Sequence, residues 1–173
     1  GTTAVSLLGF FIPVRFSTLP LSVPVIIVAL VVSLFVSDLI YYWYHRAQHT
    51  FTGLWYVHEL HHSDTELNAT TAMRTYWLEY PLQITIIAIP VHFFVGVHPA
   101  LSFVSMLVAA FLLVMTHANV KLHLGVLTPV IVGPQLHRIH HSRLSQHQDK
   151  NFAQYFPFID KLFGTYYAPH REE

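Results

Sequence analysis

The sequence predicts an all-α membrane protein in which two to four membrane helices carry a helical cap lined with histidine. Two observations support this prediction. Of the 173 residues, 53% are hydrophobic and only 10% are charged, whereas a soluble domain carries about 25% charged residues. In addition, most of the 14 histidines fall into spaced clusters. We expect a single domain over residues 1–173, and a start at Gly1 without a basic leader is compatible with a fragment of a longer protein.

The first half of the chain predicts one membrane span. Residues 4–14 are apolar but too few to cross a bilayer, which takes about 20 residues in a helix. Residues 19–44 are long enough, and Pro20 and Pro24 lie near their start, where a helix tolerates proline. The run ends in Tyr41-Tyr42-Trp43-Tyr44, which is typical of a membrane–water boundary.

The second half predicts a hairpin of two membrane helices. Residues 82–97 and 99–116 are apolar and are joined at a Gly-Val-His-Pro sequence, and we expect Pro90 to kink the first of these helices. The hairpin returns the chain to the side that it left. Residues 122–132 contain Gly125 and Pro129, so they predict an interfacial or re-entrant segment and not a further span.

The charges indicate orientation and exclude some functions. Only Arg15 falls on the far side of the first span, and by the positive-inside rule the other side is cytoplasmic. We therefore expect an integral protein of the endoplasmic reticulum or a bacterial inner membrane, with its histidine clusters facing the cytoplasm. A net charge of zero predicts no nucleic-acid partner, and the absence of cysteine excludes thiolate sites. The basic residues on the histidine side are Arg46, Arg74, Lys121, Arg138, Arg143, Lys150, Lys161 and Arg171.

Three histidine clusters and one lone histidine predict a metal centre. Positions i, i+3 and i+4 lie on one face of a helix, so each cluster is expected to converge on one point. Imidazole is a common metal ligand, and the number of histidines suits two ions. An all-nitrogen site suits iron, zinc, copper or nickel, whereas calcium and magnesium prefer oxygen. The predicted ligands are His45, His49, His58, His61, His62, His117, His137, His140 and His141.

The other histidines have different expected roles. His123 follows His117 by six residues and is a further candidate ligand. His92 and His98 are expected to be polar groups near the far interface. His147 and His170 lie in polar surroundings and are expected to be solvated.

Two alternative functions fit parts of the same pattern. His58-Glu59-Leu60-His61-His62 also matches the H-E-x-x-H helix of zinc proteases, in which Glu59 would be the base. That hypothesis leaves the other clusters without a role. A histidine-rich metal transporter is the second alternative, although transport should place ligands within the membrane spans.

The order and context of the clusters resemble the fatty acid hydroxylase/sterol desaturase superfamily of integral membrane di-iron enzymes. The resemblance covers residues 37–169. It depends on the three clusters, on His117-Ala118-Asn119, and on a tail that contains Asn151-Phe152 and Asp160-Lys161-Leu162-Phe163-Gly164-Thr165. The chain departs from the family pattern at Ala153 and Ile159, where Gly and Trp are expected. Lys121 also stands where fatty acid 2-hydroxylases carry a second histidine.

The resemblance implies an O2-dependent oxidation of a lipid. Two iron ions would be the cofactors, although zinc can occupy such sites in purified protein. The reaction would hydroxylate or desaturate a C–H bond of a sterol or fatty-acyl lipid. Two electrons would come from a cytochrome b5-like or ferredoxin-type protein. Polar side chains near the ligands are expected to orient them, since a ligating histidine usually donates its other N–H to a neighbouring acceptor; these are Asp38, Glu59, Asn119 and Asp160.

Overall fold

The computed structural model describes residues 22–96, 98–122 and 124–169, and within these ranges the chain forms six α-helices and no strand. The all-helical prediction is therefore confirmed, while the apolar residues 4–14 lie outside the described residues. Short 3-10 turns occupy several of the connections. The helices are α1 (Val23–Thr50), α2 (Thr52–His58), α3 (Glu79–Val95), α4 (Pro99–His117), α5 (Pro134–His140) and α6 (Pro157–Phe163).

Helix α1 is longer than the apolar run that predicted it. It starts with proline in its first turn, where the missing N–H would have no helical partner. It then continues beyond Tyr44 and ends at Thr50. The next residue, Phe51, has an extended conformation with φ −103° and ψ 119°. The predicted boundary at Tyr44 marked the end of the apolar composition and not of the helix, because helical hydrogen bonds do not require apolar side chains. The additional turns carry His45 and His49.

Two helices are long and apolar enough to cross a membrane. Helix α1 has 28 residues and α4 has 19, and both run toward the histidines that lie at their ends. Their outer surfaces are apolar; Phe111 on α4, for example, is 68% exposed. In a bilayer, such side chains meet lipid and not water.

Helix α3 is apolar but shorter, and it is irregular in the middle. Residues Ile84–Ala88 form a π-helical turn immediately before Pro90. Proline has no N–H to donate and its ring crowds the preceding turn, so the irregularity expected from Pro90 lies on its N-terminal side. Gly96 ends the helix with φ 57°, a left-handed conformation that glycine adopts without steric cost.

The segment between α4 and α5 forms no long helix. Its only regular element among the described residues is the 3-10 turn Gly125–Leu127, and Val126 projects from this turn with 88% of its surface exposed. This agrees with the prediction that residues 122–132 do not span the membrane. His123 lies outside the described residues, so its candidacy as a ligand stays a prediction.

The C-terminal region packs against the last turns of α1. Tyr42 forms a buried cluster with Phe152, Ala153 and Ile159. The Tyr42 hydroxyl lies 2.9 Å from the Thr165 hydroxyl, in hydrogen-bonding contact. The apolar contact and the hydrogen bond together fix the tail beside the histidines of α1.

The buried carboxylate of Asp38 ties this tail to α1. It accepts hydrogen bonds from the backbone amides of Gln154, Tyr155 and Phe156, at 2.7, 3.0 and 2.7 Å. Desolvation makes a buried carboxylate costly unless it is hydrogen-bonded, and these three donors offset that cost. Asp38 is therefore a structural link between the membrane helix and the C-terminal region.

Asp160 performs the same task from within the tail. Its carboxylate accepts from the amides of Phe152 and Ala153, at 2.7 and 3.0 Å, and from the Thr165 hydroxyl at 2.8 Å. Burial raises the pKa of the Asp160 carboxyl, and these hydrogen bonds oppose that rise. Two buried carboxylates thus hold the backbone of residues 152–156 in one conformation.

Replacement of Asp38 by alanine should loosen the tail. One buried and two part-buried amides would lose their acceptor, so we expect a loss of about 3 kcal/mol in the free energy of unfolding, at about 1 kcal/mol for each lost acceptor. Thermal unfolding in detergent and limited proteolysis within residues 151–169 would measure the effect. Glu66→Ala, which removes an exposed carboxylate, is the matched control. An Asp38→Ala protein that melts and resists protease like the wild type would contradict this role.

Candidate metal centre

The predicted histidine ligands form two groups, and not one site for each sequence cluster. Within each group, one ring nitrogen from every histidine lies within 4.8 Å of all the others. All nine predicted ligands in the described part of the chain take part. The five-histidine group contains His45, His49, His58, His62 and His140, and the four-histidine group contains His61, His117, His137 and His141.

The prediction that His58, His61 and His62 converge on one point is wrong. Helix α2 ends at His58, a turn follows, and residues His61–Ser63 form one 3-10 turn. His58 and His62 consequently join the five-histidine group, whereas His61 joins the four-histidine group.

The cluster on α5 is divided in the same way. His137 and His141 belong to the four-histidine group, and His140 belongs to the five-histidine group. Successive residues of a helix point about 100° apart, so neighbours such as His140 and His141 can face two adjacent centres. Each H-x-x-H-H motif therefore contributes to both groups and fixes the distance between them.

The nitrogen–nitrogen distances match those of ligands that share an ion. In the five-histidine group, Nε2 of His58 lies 3.0 Å from Nε2 of His45 and 3.1 Å from Nε2 of His62. Two nitrogens that are each about 2.1 Å from a metal ion and at right angles to one another are about 3.0 Å apart. This group is therefore compact enough to surround a single ion.

The four-histidine group is equally compact. Nε2 of His117 lies 3.2 Å from Nε2 of His61 and 2.9 Å from Nε2 of His137. Nε2 of His137 lies 3.1 Å from Nε2 of His141. All four rings thus turn the same nitrogen toward a common centre.

Backbone carbonyls fix the tautomers of three histidines. Nδ1 of His45 donates to the carbonyl oxygen of Phe152 at 2.8 Å, Nδ1 of His117 donates to that of Leu113 at 2.7 Å, and Nδ1 of His140 donates to that of Lys150 at 2.9 Å. A carbonyl oxygen can only accept, so in each neutral ring Nδ1 carries the proton and Nε2 keeps its lone pair. These lone pairs are directed into the two groups, as ligation of a metal requires.

Two inward nitrogens have no partner within the described part of the chain. They are Nε2 of His49 and Nε2 of His140, and both are buried. A buried polar atom without a hydrogen bond is costly, and a metal ion would satisfy both atoms. A site whose ligand atoms are all imidazole nitrogens fits iron or zinc.

Five of the clustered imidazoles have pKa values below the usual range. Burial lowers the pKa of His140 to about 3, with smaller lowering contributions from the neighbouring His58 and His117. The pKa values of His61, His62, His137 and His141 lie well below the usual value of 6.5. Burial is the larger cause, and the neighbouring imidazoles lower these pKa values further. Neutral imidazole is the form that ligates metal, so protons compete weakly for these sites at neutral pH.

The four predicted supporting residues occupy different positions. Asp38 and Asp160 hold residues 152–156 and so act on His45 through the Phe152 carbonyl. Glu59 is exposed at the C-terminal end of α2. Asn119 is also exposed, and its side-chain oxygen accepts from Arg138 at 3.0 Å.

Glu79 is a neighbour of the ligands that the sequence reasoning missed. It is buried, and its carboxylate lies 3.8 Å from Nδ1 of His58. Nε2 of Gln48 donates to both carboxylate oxygens at 2.9 Å, and Nε2 of Gln83 donates at 3.0 Å. An acidic residue at the start of an apolar helix was the available signal, because a carboxylate at a membrane edge is costly without partners.

His147 is also placed differently from its prediction. It was expected to be solvated, but it is 2% exposed and its ring packs 4.8 Å from that of Tyr167. The prediction failed because the polar sequence around it gave no sign that the tail folds over this residue. His170 lies outside the described residues.

An apolar cavity of about 540 Å³ lies among α1, α3 and α4. It reaches Tyr41, whose ring lies 5.0 Å from that of His45, and Leu113, whose carbonyl accepts from His117. None of the nine clustered histidines lines the cavity, but Tyr41 and Leu113 each line it and contact a histidine of one group.

A polar cavity of about 620 Å³ reaches the histidines directly. It is lined by His49, His62 and His140 of the five-histidine group and by His141 of the four-histidine group. Glu59, Arg143 and Asp149 lie along the same cavity. The two groups are thus accessible from a polar side and approached from an apolar side.

Paired imidazole groups at the ends of two apolar helices define a class: membrane proteins with two adjacent histidine-rich sites for metal. The family model described as fatty acid hydroxylase matches residues 30–165, and the chain belongs to this family. The match includes all the clustered histidines, the whole of α4 and α1 from residue 30 onward.

Several curated proteins are similar to this chain. It is 30% identical over 141 residues to ornithine lipid hydroxylase OlsE of Rhizobium tropici, covering 82% of this chain and 42% of the relative. It is 31% identical over 142 residues to alkylglycerol monooxygenase of Homo sapiens, covering 78% of this chain and 30% of the relative. It is 30% identical over 138 residues to the Delta(7)-sterol 5(6)-desaturase ERG3A of Gibberella zeae, covering 78% of this chain and 36% of the relative. The chain thus spans less than half the length of each, and no solved structure matches it significantly.

The division of the motif predicts that two adjacent histidines serve different ions. Cobalt(II) can report both sites by its absorption spectrum. We expect the His61→Ala protein to lose the ion of the four-histidine group. Its remaining cobalt(II) spectrum should match that of the His137→Ala protein. His62→Ala should lose the other ion and match His140→Ala. The division would be contradicted if His61→Ala and His62→Ala left the same residual spectrum.

Proposed function

We propose that this protein is a membrane-bound di-iron oxygenase that hydroxylates or desaturates a C–H bond of a lipid, using O2 and two electrons. The observation that carries the proposal is the pair of compact imidazole groups beside an apolar cavity between the long apolar helices. Membership of the fatty acid hydroxylase family supports it.

The apolar cavity has the form that a hydrocarbon chain requires. Ser33 precedes His45 on α1 by 12 residues, and Ser102 precedes His117 on α4 by 15 residues; both serines line the cavity. At 1.5 Å per residue, the cavity extends to about 18 Å below His45 and about 22 Å below His117. Its near end is at Tyr41 and Leu113. A chain lying along it would run parallel to the helices, with one part close to the metal centre.

Small side chains create this space. Ser33 and Ser37 on α1 face Ser102, Ser105 and Ala109 on α4 across the cavity. Larger residues at these positions would fill the gap between the two helices. The lining is mostly apolar and carries no Asp, Glu, Lys or Arg, which favours a lipid over a charged metabolite.

Each part of the chain has a defined task in this reaction. Bound iron would supply the activation of O2 that attack on an unactivated C–H bond requires. The imidazoles hold the ions and resist oxidation better than thiolates would. The carbonyls of Phe152, Lys150 and Leu113 hold protons on Nδ1 of three ligands, so that their Nε2 atoms remain available. The apolar wall keeps water away from the substrate side.

The polar cavity suits the remaining participants. It is the direct route to four of the histidines, so we assign to it the approach of an electron donor of the cytochrome b5-like or ferredoxin-type class. The distribution of Lys and Arg supports a cytoplasmic position for this face, in a protein of the endoplasmic reticulum or a bacterial inner membrane.

The relatives suggest the chemical range of the substrate. Their names refer to an ornithine lipid, an alkylglycerol and a sterol. We extend only the shared feature to this chain, a membrane lipid with a long apolar part. The cavity supports a fatty-acyl or sterol-type lipid and does not distinguish between them.

The alternative functions fit the geometry less well. A protease of the H-E-x-x-H type needs both histidines and the glutamate on one helix, but α2 ends at His58 and Glu59 is exposed. A transporter needs ligands along a path through the membrane. The clustered histidines all lie at one end of the spans, and none lines the cavity between them.

The proposal is tested by isotopic labelling. We expect the iron-loaded protein, supplied with reductant, ¹⁸O2 and membrane lipids, to yield either a lipid that contains ¹⁸O or a lipid with a new double bond. Mass spectrometry distinguishes the two products. His137→Ala, which removes a predicted ligand, should abolish both. Peptide cleavage or metal flux without lipid oxidation would overturn the proposal.

Filling the apolar cavity should impair activity without disturbing the metal centre. Ala109→Phe adds a ring inside the cavity, so we expect at least about a tenfold loss of lipid oxidation with an unchanged iron content. Val104→Phe is the matched control because Val104 is on the same helix, is 40% exposed and lies outside the cavity lining. Equal activity in the two variants would exclude this cavity as the substrate site.

A further inference from the structure

One short segment of the tail contacts three ligands of the same group. In residues 149–152, the Lys150 carbonyl accepts from Nδ1 of His140 at 2.9 Å, and the Phe152 carbonyl accepts from Nδ1 of His45 at 2.8 Å. The Asp149 carboxylate lies 3.6 Å from Nδ1 of His49. Three of the five histidines in the five-histidine group therefore have their outer nitrogen directed at this segment.

The segment has an unusual backbone. Asp149 and Asn151 have φ values of 57° and 56°, and they are the only non-glycine residues with positive φ in the described part of the chain. Such conformations cost about 1 kcal/mol or more, and they persist where surrounding contacts hold them. Here they alternate with Lys150 and Phe152, whose carbonyl oxygens are the ones that reach the histidines.

Asn151 holds this conformation in place. Its side-chain nitrogen donates to the carbonyls of Leu136 and Tyr167, at 3.3 and 3.1 Å, and its side-chain oxygen accepts from the Tyr167 amide at 2.9 Å. Its own amide donates to the Thr165 carbonyl at 2.9 Å. Asn151 is buried, and asparagine is one of the few residues that tolerate the left-handed region. One side chain thus joins the segment to α5 and to the end of the tail.

The four-histidine group is supported differently. Nδ1 of His117 donates to the Leu113 carbonyl within its own helix. Within the described ranges, no hydrogen bond or ion pair joins residues 149–152 to the four-histidine group, His61, His117, His137 and His141. The outer contacts of the two groups are therefore independent.

We propose that residues 149–152 form a positioning segment for the five-histidine group alone, with Asn151 as the residue that holds it. An acceptor on Nδ1 fixes the plane of the ring and makes Nε2 a stronger donor. The segment thereby sets the affinity and ligand field of one ion independently of the other. The inference deepens the proposed function and rests on it only in requiring that both groups bind metal.

The test compares Asn151 variants by site-resolved metal binding. Cobalt(II) titration of the whole protein, followed by absorption, gives an affinity and a spectrum for each site. We expect Asn151→Ala to weaken one ion about 10- to 100-fold, the usual range for lost outer contacts, and to leave the other unchanged. The weakened ion should be the one that His49→Ala removes. Asn151→Asp, which keeps the acceptor for the Tyr167 amide, should lose less affinity than Asn151→Ala.

Controls separate positioning from folding. Gln146→Ala changes an exposed residue of the same loop, and it should leave both affinities unchanged. If Asn151→Ala does not fold, Asp149→Asn replaces it, because the Asp149 side chain is 71% exposed and its replacement removes only the negative charge beside Nδ1 of His49. We expect Asp149→Asn to shift the spectrum or affinity of that ion alone.

The possible failures are distinguishable. Equal weakening of both ions by Asn151→Ala, or no effect of Asn151→Ala and Asp149→Asn on either ion, would overturn the inference even if lipid oxidation is found. Selective weakening in a protein that oxidises no lipid would support the inference and overturn the proposed function. A wild-type protein that binds no metal would overturn both.

Discussion

The rest of the structure depends on nine imidazoles that are buried or half-buried at one end of two long apolar helices. Each ring has two nitrogens, and a buried ring nitrogen is costly unless it has a partner. The protein directs Nε2 of most rings toward one of two centres and gives several Nδ1 atoms a backbone acceptor. The length of α1 beyond its apolar run, the break after α2 and the fold of the tail all satisfy this constraint.

The two groups are interlocked but supported from different sides. His58, His61 and His62 hold the groups together from one motif, and His137, His140 and His141 do so from the other. The five-histidine group depends on the tail, which Asp38 and Asp160 hold through backbone amides. The four-histidine group depends on α4, where His117 is supported by its own helix. Such a division allows the two sites to have different affinities although their ligands are of one chemical type.

The sequence predicted the helical class, the two helices that are long enough to span a membrane and all nine clustered histidines, because hydropathy and residue spacing report these features directly. It also predicted a span at residues 82–97, where the structure has the shorter apolar helix α3. It did not predict how the histidines divide, since that depends on where α2 ends and on two centres lying side by side. Asp38 and Asp160 were expected to support ligands directly, but they act through the backbone amides of residues 152–156. The identity of a residue does not show which backbone amides its side chain will contact, so the sequence could not predict this. Glu79 and Asp149 lie far in sequence from the histidines that they approach, so only the fold brings them together.

The central claim is that two ions lie in two histidine groups that divide each H-x-x-H-H motif between them. The most direct measurement is anomalous diffraction at the iron edge from crystals of the iron-loaded protein. We predict two peaks, one bordered by His45, His49, His58, His62 and His140, and one bordered by His61, His117, His137 and His141. A single peak, or a peak bordered by His58, His61 and His62 together, would contradict the account.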